Sequence, residues 1–321
     1  MYKCKVRFIV VSAVLVLLSV LPLYSAETWR LGQGQDLQSM SAEGEDKFLL
    51  AVAEIKQLVI TGQADAVSEA LEQLKKEYPE IAGPDFDAFV DAEMLFCKGE
   101  LSRAMRSYDN FLDKFPESAL FEAALDRQFG IGKAFLSGQT RRVLRVFKIR
   151  GYTYGKKIME RIIDRVGLGS PIGLRAAMAV AESFESRGKF EDAYIEWQEI
   201  STQWPTGQVG KDVLLAMARC KHAAYRGPGY DASNLISAKS YYENFRLRYP
   251  EDAKELDVDG KLKLIEEQQA RKQLNIGEYY QRTGNKQSAN LYYQMVIDNW
   301  PGSSAAQIAK AKMEWNLGSE K

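Results

Sequence analysis

YYQMVIDNWPGS (292–303) closes a helix-like run with an aromatic residue, a proline, a spacer and a serine. YDNFLDKFPES (108–118) closes in the same way. The aromatic-proline pair recurs as Tyr78-Pro79, Phe115-Pro116, Trp204-Pro205, Tyr249-Pro250 and Trp300-Pro301, which uses five of the nine prolines in the chain. Proline cannot continue a helix, and its ring pushes the preceding residue out of the helical region. Each pair therefore predicts a helix end.

Counting backwards from the prolines exposes a repeat. Tyr108, Ala104, Gly99, Leu95 and Ala92 stand 8, 12, 17, 21 and 24 residues before Pro116. The same steps from Pro205 give Trp197, Ala193, Gly188, Phe184 and Ala181, and from Pro301 they give Tyr293, Ala289, Gly284, Tyr280 and Gly277. The small residue and the alanine fit a close crossing of two antiparallel helices. The glycine ends the first helix at positive φ. The aromatic fills the layer against the next hairpin. A serine two residues after the proline, Ser118 or Ser303, is placed to cap the next helix. At about 34 residues per unit, the pattern resembles the tetratricopeptide repeat.

The other units are degenerate. Leu71, Val67 and Gly62 precede Pro79, with Val67 in the alanine slot. Phe245, Tyr242 and Ala238 precede Pro250, but the break YRGPGYDASN (225–234) is about six residues too long. Allowing for that excess, Cys220 takes the small slot. A further unit, 119–168, has no proline ending; its helices are ALFEAALDRQFGIGKAFL (119–136) and YGKKIMERIIDRV (154–166), around a basic insertion at about 138–154. With the C-terminal helix SSAAQIAKAKMEW (303–315), the expectation is an all-α, α-α superhelix: a tetratricopeptide-like solenoid of six hairpins. Residues 27–47 read as an irregular leader, 48–168 as the N-terminal repeats and 169–321 as the C-terminal repeats with their capping helix.

At 321 residues and 46% hydrophobic, the chain can bury one large core or two ordinary ones. Its formal charge of zero provides no global field for nucleic acid. Lys3, Lys5 and Arg7 precede an apolar run from Phe8 to Leu21, followed by Ser25-Ala26, which is the order of a secretory signal (1–26). Tyr24 is bulky for the position three before a cut after Ala26, so an uncleaved anchor stays open. Cys97 and Cys220 beyond the signal are too few for a disulfide framework and read as small buried side chains.

Two surfaces stand out. From Arg127 to Met159 there are nine cations and no acid, so the rest of the neutral chain carries −9. Within that stretch Arg141, Arg142, Arg145, Phe147, Lys148 and Arg150 mix charge with apolar side chains, a composition suited to a lipid head-group layer or to an acidic protein partner. A loop packed on its own scaffold, its cations answered by neighbouring acids, is the plain alternative. The second surface is the concave face of the first helices, about 30, 27 and 20 residues before each proline. There Leu49, Val52 and Val59, then Phe86, Phe89, Glu93 and Phe96, then Phe129 and Leu136 make an N-terminal half fit for a peptide. Arg175, Met178, Glu185, Arg271, Leu274 and Gln281 make the C-terminal half polar.

Catalysis finds no constellation. His222 is the only histidine and sits two residues after Cys220, which puts the two on different helix faces. No zinc-ligand cluster is present, and GIGKAF (130–135) lacks the frame of a phosphate loop. GLGSPIG (167–173) reads as a turn between hairpins, and Glu266-Glu267 as a solvated face. The sequence predicts neither an enzyme nor a cofactor or metal site.

The export signal, the aromatic-proline endings, the long YRGPGYD turn and the basic insertion of the third unit together resemble the BamD (YfiO/ComL) family of outer-membrane protein assembly factors. The likeness covers 48–316. It implies a non-catalytic periplasmic scaffold for β-barrel assembly, with Phe86, Phe89 and Phe96 facing clients and the units ending at Pro250 and Pro301 docking a partner. Expected partners are barrel-assembly subunits and unfolded outer-membrane protein segments, with no nucleic acid. Family members are lipoproteins, whereas Leu21–Ala26 offers no cysteine; the expectation is a chain without a lipoprotein anchor, held peripherally at the outer membrane through its basic insertion. Two rivals remain: a periplasmic adaptor for cell-envelope, peptidoglycan or Tol-Pal-type machinery, and a hydrolase built on helical repeats.

Overall fold

A computed structural model describes residues 29–31, 37–39, 42–79, 83–143 and 147–318. The expected signal (1–26) and Arg145 lie outside the described residues.

Fourteen helices are found among the described residues, twelve of them in six hairpins: α1 (Ala42–Thr61) with α2 (Ala64–Glu77), α3 (Pro84–Cys97) with α4 (Leu101–Lys114), α5 (Phe121–Leu136) with α6 (Tyr152–Val166), α7 (Pro171–Ser186) with α8 (Phe190–Gln203), α9 (Gly207–Ala223) with α10 (Ser233–Arg248), and α12 (Val258–Arg282) with α13 (Lys286–Asn299). The short α11 (Pro250–Glu255) precedes α12, and α14 (Ser304–Gly318) follows the last hairpin. The fold class is all-α, the α-α superhelix of repeated hairpins. Two antiparallel ribbons accompany it, β1 (Trp29–Leu31) with β2 (Leu37–Ser39) and β3 (Thr140–Val143) with β4 (Phe147–Arg150). The described chain divides into two compact units, one ending at Lys114 and one beginning at Phe115. Helices α6 and α7, on either side of 168/169, pack directly on each other.

Every repeat class has its expected physical role. Helices stop immediately before Tyr78, Trp204, Tyr249 and Trp300, whose φ lies between −121° and −136° with ψ between 59° and 72°, outside the helical basin as a following proline requires. Gly99, Gly188 and Gly284 end first helices at φ +72°, +70° and +83°. Ala92, Ala104, Ala181, Ala193, Cys220, Ala238 and Ala289 are fully buried at the crossings. Tyr108, Trp197, Tyr242 and Tyr293 fill the layers between them, each at most 3% exposed. At Gly277 an added Cβ would meet the Tyr293 ring at 2.6 Å, so the aromatic sets the size limit of the small slot.

The differences have local causes. Of the leader, 29–31 and 37–39 form a ribbon, and α1 begins at Ala42 rather than at 48. The basic insertion carries a two-stranded β-ribbon, whose strands use the β-branched and aromatic residues Thr140, Val143, Phe147 and Ile149 between cations. Ser303 caps α14, accepting the Ala306 N–H at 3.0 Å, whereas Ser118 only makes a turn, accepting from the Leu120 N–H at 3.2 Å. In GLGSPIG, Gly167 turns the chain at φ +79° and Ser170 caps α7 by accepting from the Gly173 N–H. Cys220 is buried and free as expected; Cys97 is free but only half-buried. Glu267 is not a solvated acid: it accepts from Ser304 N–H, Ser304 Oγ and Ala305 N–H at the start of α14.

Candidate functional site

The first helices carry the candidate contacts, and the two units treat them differently. In the unit ending at Lys114, Phe86 and Phe96 are half-buried beside Val90 and Met94, against Val59, Val67 and Leu71 of the first hairpin. Lys75 Nζ lies 5.5 Å from the Phe86 ring centroid and pairs with Asp87. Phe89 turns instead toward α4, edge-on to Tyr108 at 6.0 Å and Phe111 at 5.7 Å. Glu93 is buried and accepts a hydrogen bond from the Tyr108 hydroxyl. Val59 is 3% exposed and so belongs to the core.

Phe129 and Leu136 of α5 are also inward, at 9% and 5% exposure. The Arg175 guanidinium covers Phe129 at 4.4 Å, and the Leu136 carbonyl accepts from Ser183 Oγ at 3.0 Å. Leu274 is fully buried. Counting from a proline identifies a helix face, but its edges lie in the seam with the partner helix, and large side chains there fold into the seam. Of the six expected peptide contacts, Phe86, Phe89 and Phe96 are half-buried, Phe89 with its ring edge-on to Tyr108 and Phe111, while Glu93, Phe129 and Leu136 are buried.

In the unit beginning at Phe115, successive first helices are joined by polar rungs. Arg175 Nη1 donates to Asp126 at 3.2 Å between α7 and α5. Glu185 on α7 accepts two bonds from Arg219 on α9, both 2.9 Å, and one from Trp197 Nε1 at 2.6 Å. His222 Nε2 lies 2.9 Å from Gln268 Oε1, joining α9 to α12, with the imidazole edge-on to Tyr242. Lys312 reaches Glu278 at 3.5 Å, and Gln281 Nε2 donates to Asn316 Oδ1 at 3.2 Å, joining α12 to α14. An open pocket of about 450 Å³ lies beside that last rung, lined by Glu278, Gln281, Arg282, Lys312 and Trp315. The polar half is thus largely consumed in holding helices together.

The basic hairpin is placed by register, with Arg141 opposite Ile149, Arg142 opposite Lys148 and Val143 opposite Phe147. At its root Arg150 is exposed, and its Nη1 donates to the Tyr152 hydroxyl at 3.0 Å. Lys156 is answered by Glu196 at 2.6 Å and Glu160 at 3.2 Å. Burial alone would lower its pKa, but those two carboxylates outweigh burial and raise it. Arg187 at the end of α7 stacks on Tyr152 and Phe184, a grouping that repeat counting does not reveal because 152 and 187 lie in different units.

No nucleophile–base pair forms around the histidine. Burial, then Glu185, pushes the Cys220 thiol up to about 12, so it does not supply a thiolate near neutrality. Among the described residues no three or more His, Cys, Asp or Glu side chains group as metal ligands, and no helix is long and apolar enough to cross a membrane.

A tetratricopeptide-repeat family model matches residues 273–303, the end of α12 with α13. No curated protein sequence matches the chain. Among solved structures the chain is similar to PilW, a widely conserved type IV pilus biogenesis factor, at 16% identity and TM-score 0.30, covering 84% of this chain and 99% of that one. It is also similar to the C-terminal part of a TPR repeat-containing protein from Cytophaga hutchinsonii, at 15% identity and TM-score 0.36, covering 83% and 95%. At those scores neither likeness bears on function. With its hairpins and matched repeat, the protein is a tetratricopeptide-type helical scaffold, a class that works through protein–protein interaction and is typically non-catalytic.

Proposed function

We propose that the protein is a non-catalytic periplasmic scaffold in outer-membrane β-barrel assembly, which holds client or partner segments on its helical repeats. The supporting observation is where the repeat departs from regularity: a cationic β-hairpin between α5 and α6, and a long turn at 224–232 between α9 and α10. Both coincide with the features that carry the resemblance to BamD-type assembly factors. Phe86 and Phe96 are the client contacts of this reading, since a half-buried aromatic stripe can gain further burial from an incoming apolar segment. Affinity capture from envelope extracts tests it. A barrel-assembly subunit recovered with the full chain, and lost in the Phe86→Ser/Phe96→Ser double variant, is the expected result. Recovery of peptidoglycan-associated or Tol-Pal-type proteins alone replaces it with the envelope-adaptor reading.

A further inference from the structure

We propose that Arg150 and Arg187, seated on Tyr152 and Phe184, form an anion site that takes a carboxylate-bearing segment of a protein partner. The Arg187 guanidinium lies 4.4 Å from the Tyr152 ring centroid and 4.7 Å from that of Phe184, and its Nε donates to the Ser183 carbonyl at 2.8 Å. The Arg150 guanidinium lies 5.9 Å from the same Tyr152 centroid. Because both contact one ring, the two guanidinium groups are within about 10 Å of each other. Acidic side chains two residues apart on an extended segment share one face, about 7 Å apart, and with their own length span such a gap.

The seat is built rather than incidental. The Tyr152 hydroxyl lies over Gly138, where an added Cβ would meet it at 2.9 Å, so the turn after α5 is shaped to admit the ring. Stacking fixes the Arg187 side chain before any ligand arrives, and a planar guanidinium with its terminal Nη groups unoccupied suits bidentate bonding to a carboxylate. Among the described residues the two arginines are also not answered by a carboxylate. Four cations surround the two rings; Lys156 has Glu196 and Glu160, and Lys189 has Asp192 at 3.9 Å. Among the described residues neither Arg150 nor Arg187 has an acidic partner.

Arg187 is half-buried at the root of the hairpin. A carboxylate on a flexible side chain reaches such a position, whereas a flat layer of lipid head groups favours cations that protrude. The inference takes from the scaffold reading only that the ligand is a protein.

Fluorescence anisotropy with the full chain tests it, using a labelled Asp/Glu-rich peptide and its Asn/Gln analogue, beside flotation on phosphatidylglycerol vesicles. The acidic peptide is expected to bind and the amide analogue to fail. Arg187→Gln and Arg150→Gln each weaken binding about tenfold or more, and Arg187→Lys weakens it as well because the stacked fork is lost. Unchanged melting by circular dichroism shows the variants folded, and binding of an apolar client peptide to them persists. Equal binding of the two peptides, or no effect of the arginine changes in folded protein, overturns the site. Vesicle uptake that depends on Arg187 without any peptide binding also overturns it, in favour of lipid. The envelope capture is scored separately on the wild-type chain, so failure there leaves this outcome readable.

Discussion

Gly99, Gly188 and Gly284 sit at positive φ with open space around an added Cβ, so only backbone strain opposes substitution. Gly277 is the reverse case, with ordinary φ and no room. Gly188→Ala should cost about 1–2 kcal/mol and Gly188→Asn less, because asparagine tolerates the left-handed region. At Gly277 the order inverts: alanine costs about 1–3 kcal/mol by overpacking against Tyr293, and asparagine more. Urea denaturation of the four variants checks the crossing of the two series. Cysteine chemistry separates in the same way. Cys220, fully buried with its thiol held up to about 12, should resist iodoacetamide at pH 8, while half-buried Cys97 labels faster, as peptide mass mapping would show. The small slots and the turn glycines were legible from spacing alone, since their classes recur three times. What fills the space at the small slot was not legible, because the limit at Gly277 is set by the Tyr293 ring lying across the crossing.

At the scale of one element, α14 is held at its start by Ser303 and by Glu267 from α12. Burial, the largest influence on Glu267, opposes its ionisation; the bonds from Ser304 and the Ala305 amide outweigh it and hold the carboxyl below its ordinary value of 4.5. A folded-state pKa below the unfolded one contributes stability above the unfolded value, and that stability fades as pH falls through the folded one. Glu267→Gln should therefore cost about 0.5–1 kcal/mol at pH 7, with solvent screening keeping it to that range. The wild-type advantage should shrink as pH drops below 4.5. Paired denaturation curves at pH 7 and pH 3.5 check this. The helix itself was readable from SSAAQIAKAKMEW. The acid that caps it was not, since Glu267 comes from 37 residues earlier in the chain. The third hairpin shows the same limit: its two helices are legible, but RRVLRVFKIR reads as a charged insertion, and only the pairing of 140–143 with 147–150 makes a ribbon of it.

At the scale of the molecule, neighbouring hairpins of the unit beginning at Phe115 pack on one another, so the last one needs a cover. Ala305, Ala306 and Ala309 of α14 close the core of Ala270, Leu274, Ala289, Tyr293 and Val296. Ending the chain after Ser303 would leave that layer open to water, as removal of a terminal cap does in repeat proteins. The expected outcome is a lower urea midpoint for the unit beginning at Phe115 and an unchanged one for the unit ending at Lys114. Circular dichroism follows both units, and tryptophan fluorescence follows the second alone once Trp29 is changed to Phe, because Trp197, Trp204 and Trp300 all lie beyond Phe115.

Aromatic-proline endings, turn glycines and small crossings are dictated locally, by backbone sterics and side-chain volume within one hairpin. That is why residue spacing alone determined an all-α chain of six hairpins and a closing helix. The functional surface depends on which side of a helix meets a neighbour. Leu274 matches a groove position by count, and Glu93, Phe129 and Leu136 were expected on the same face, yet packing against adjacent helices draws all four inside. Arg150, Tyr152, Phe184 and Arg187 have no shared repeat position, and only tertiary packing brings them to one place, because a cation stacks on whichever ring the fold sets beside it.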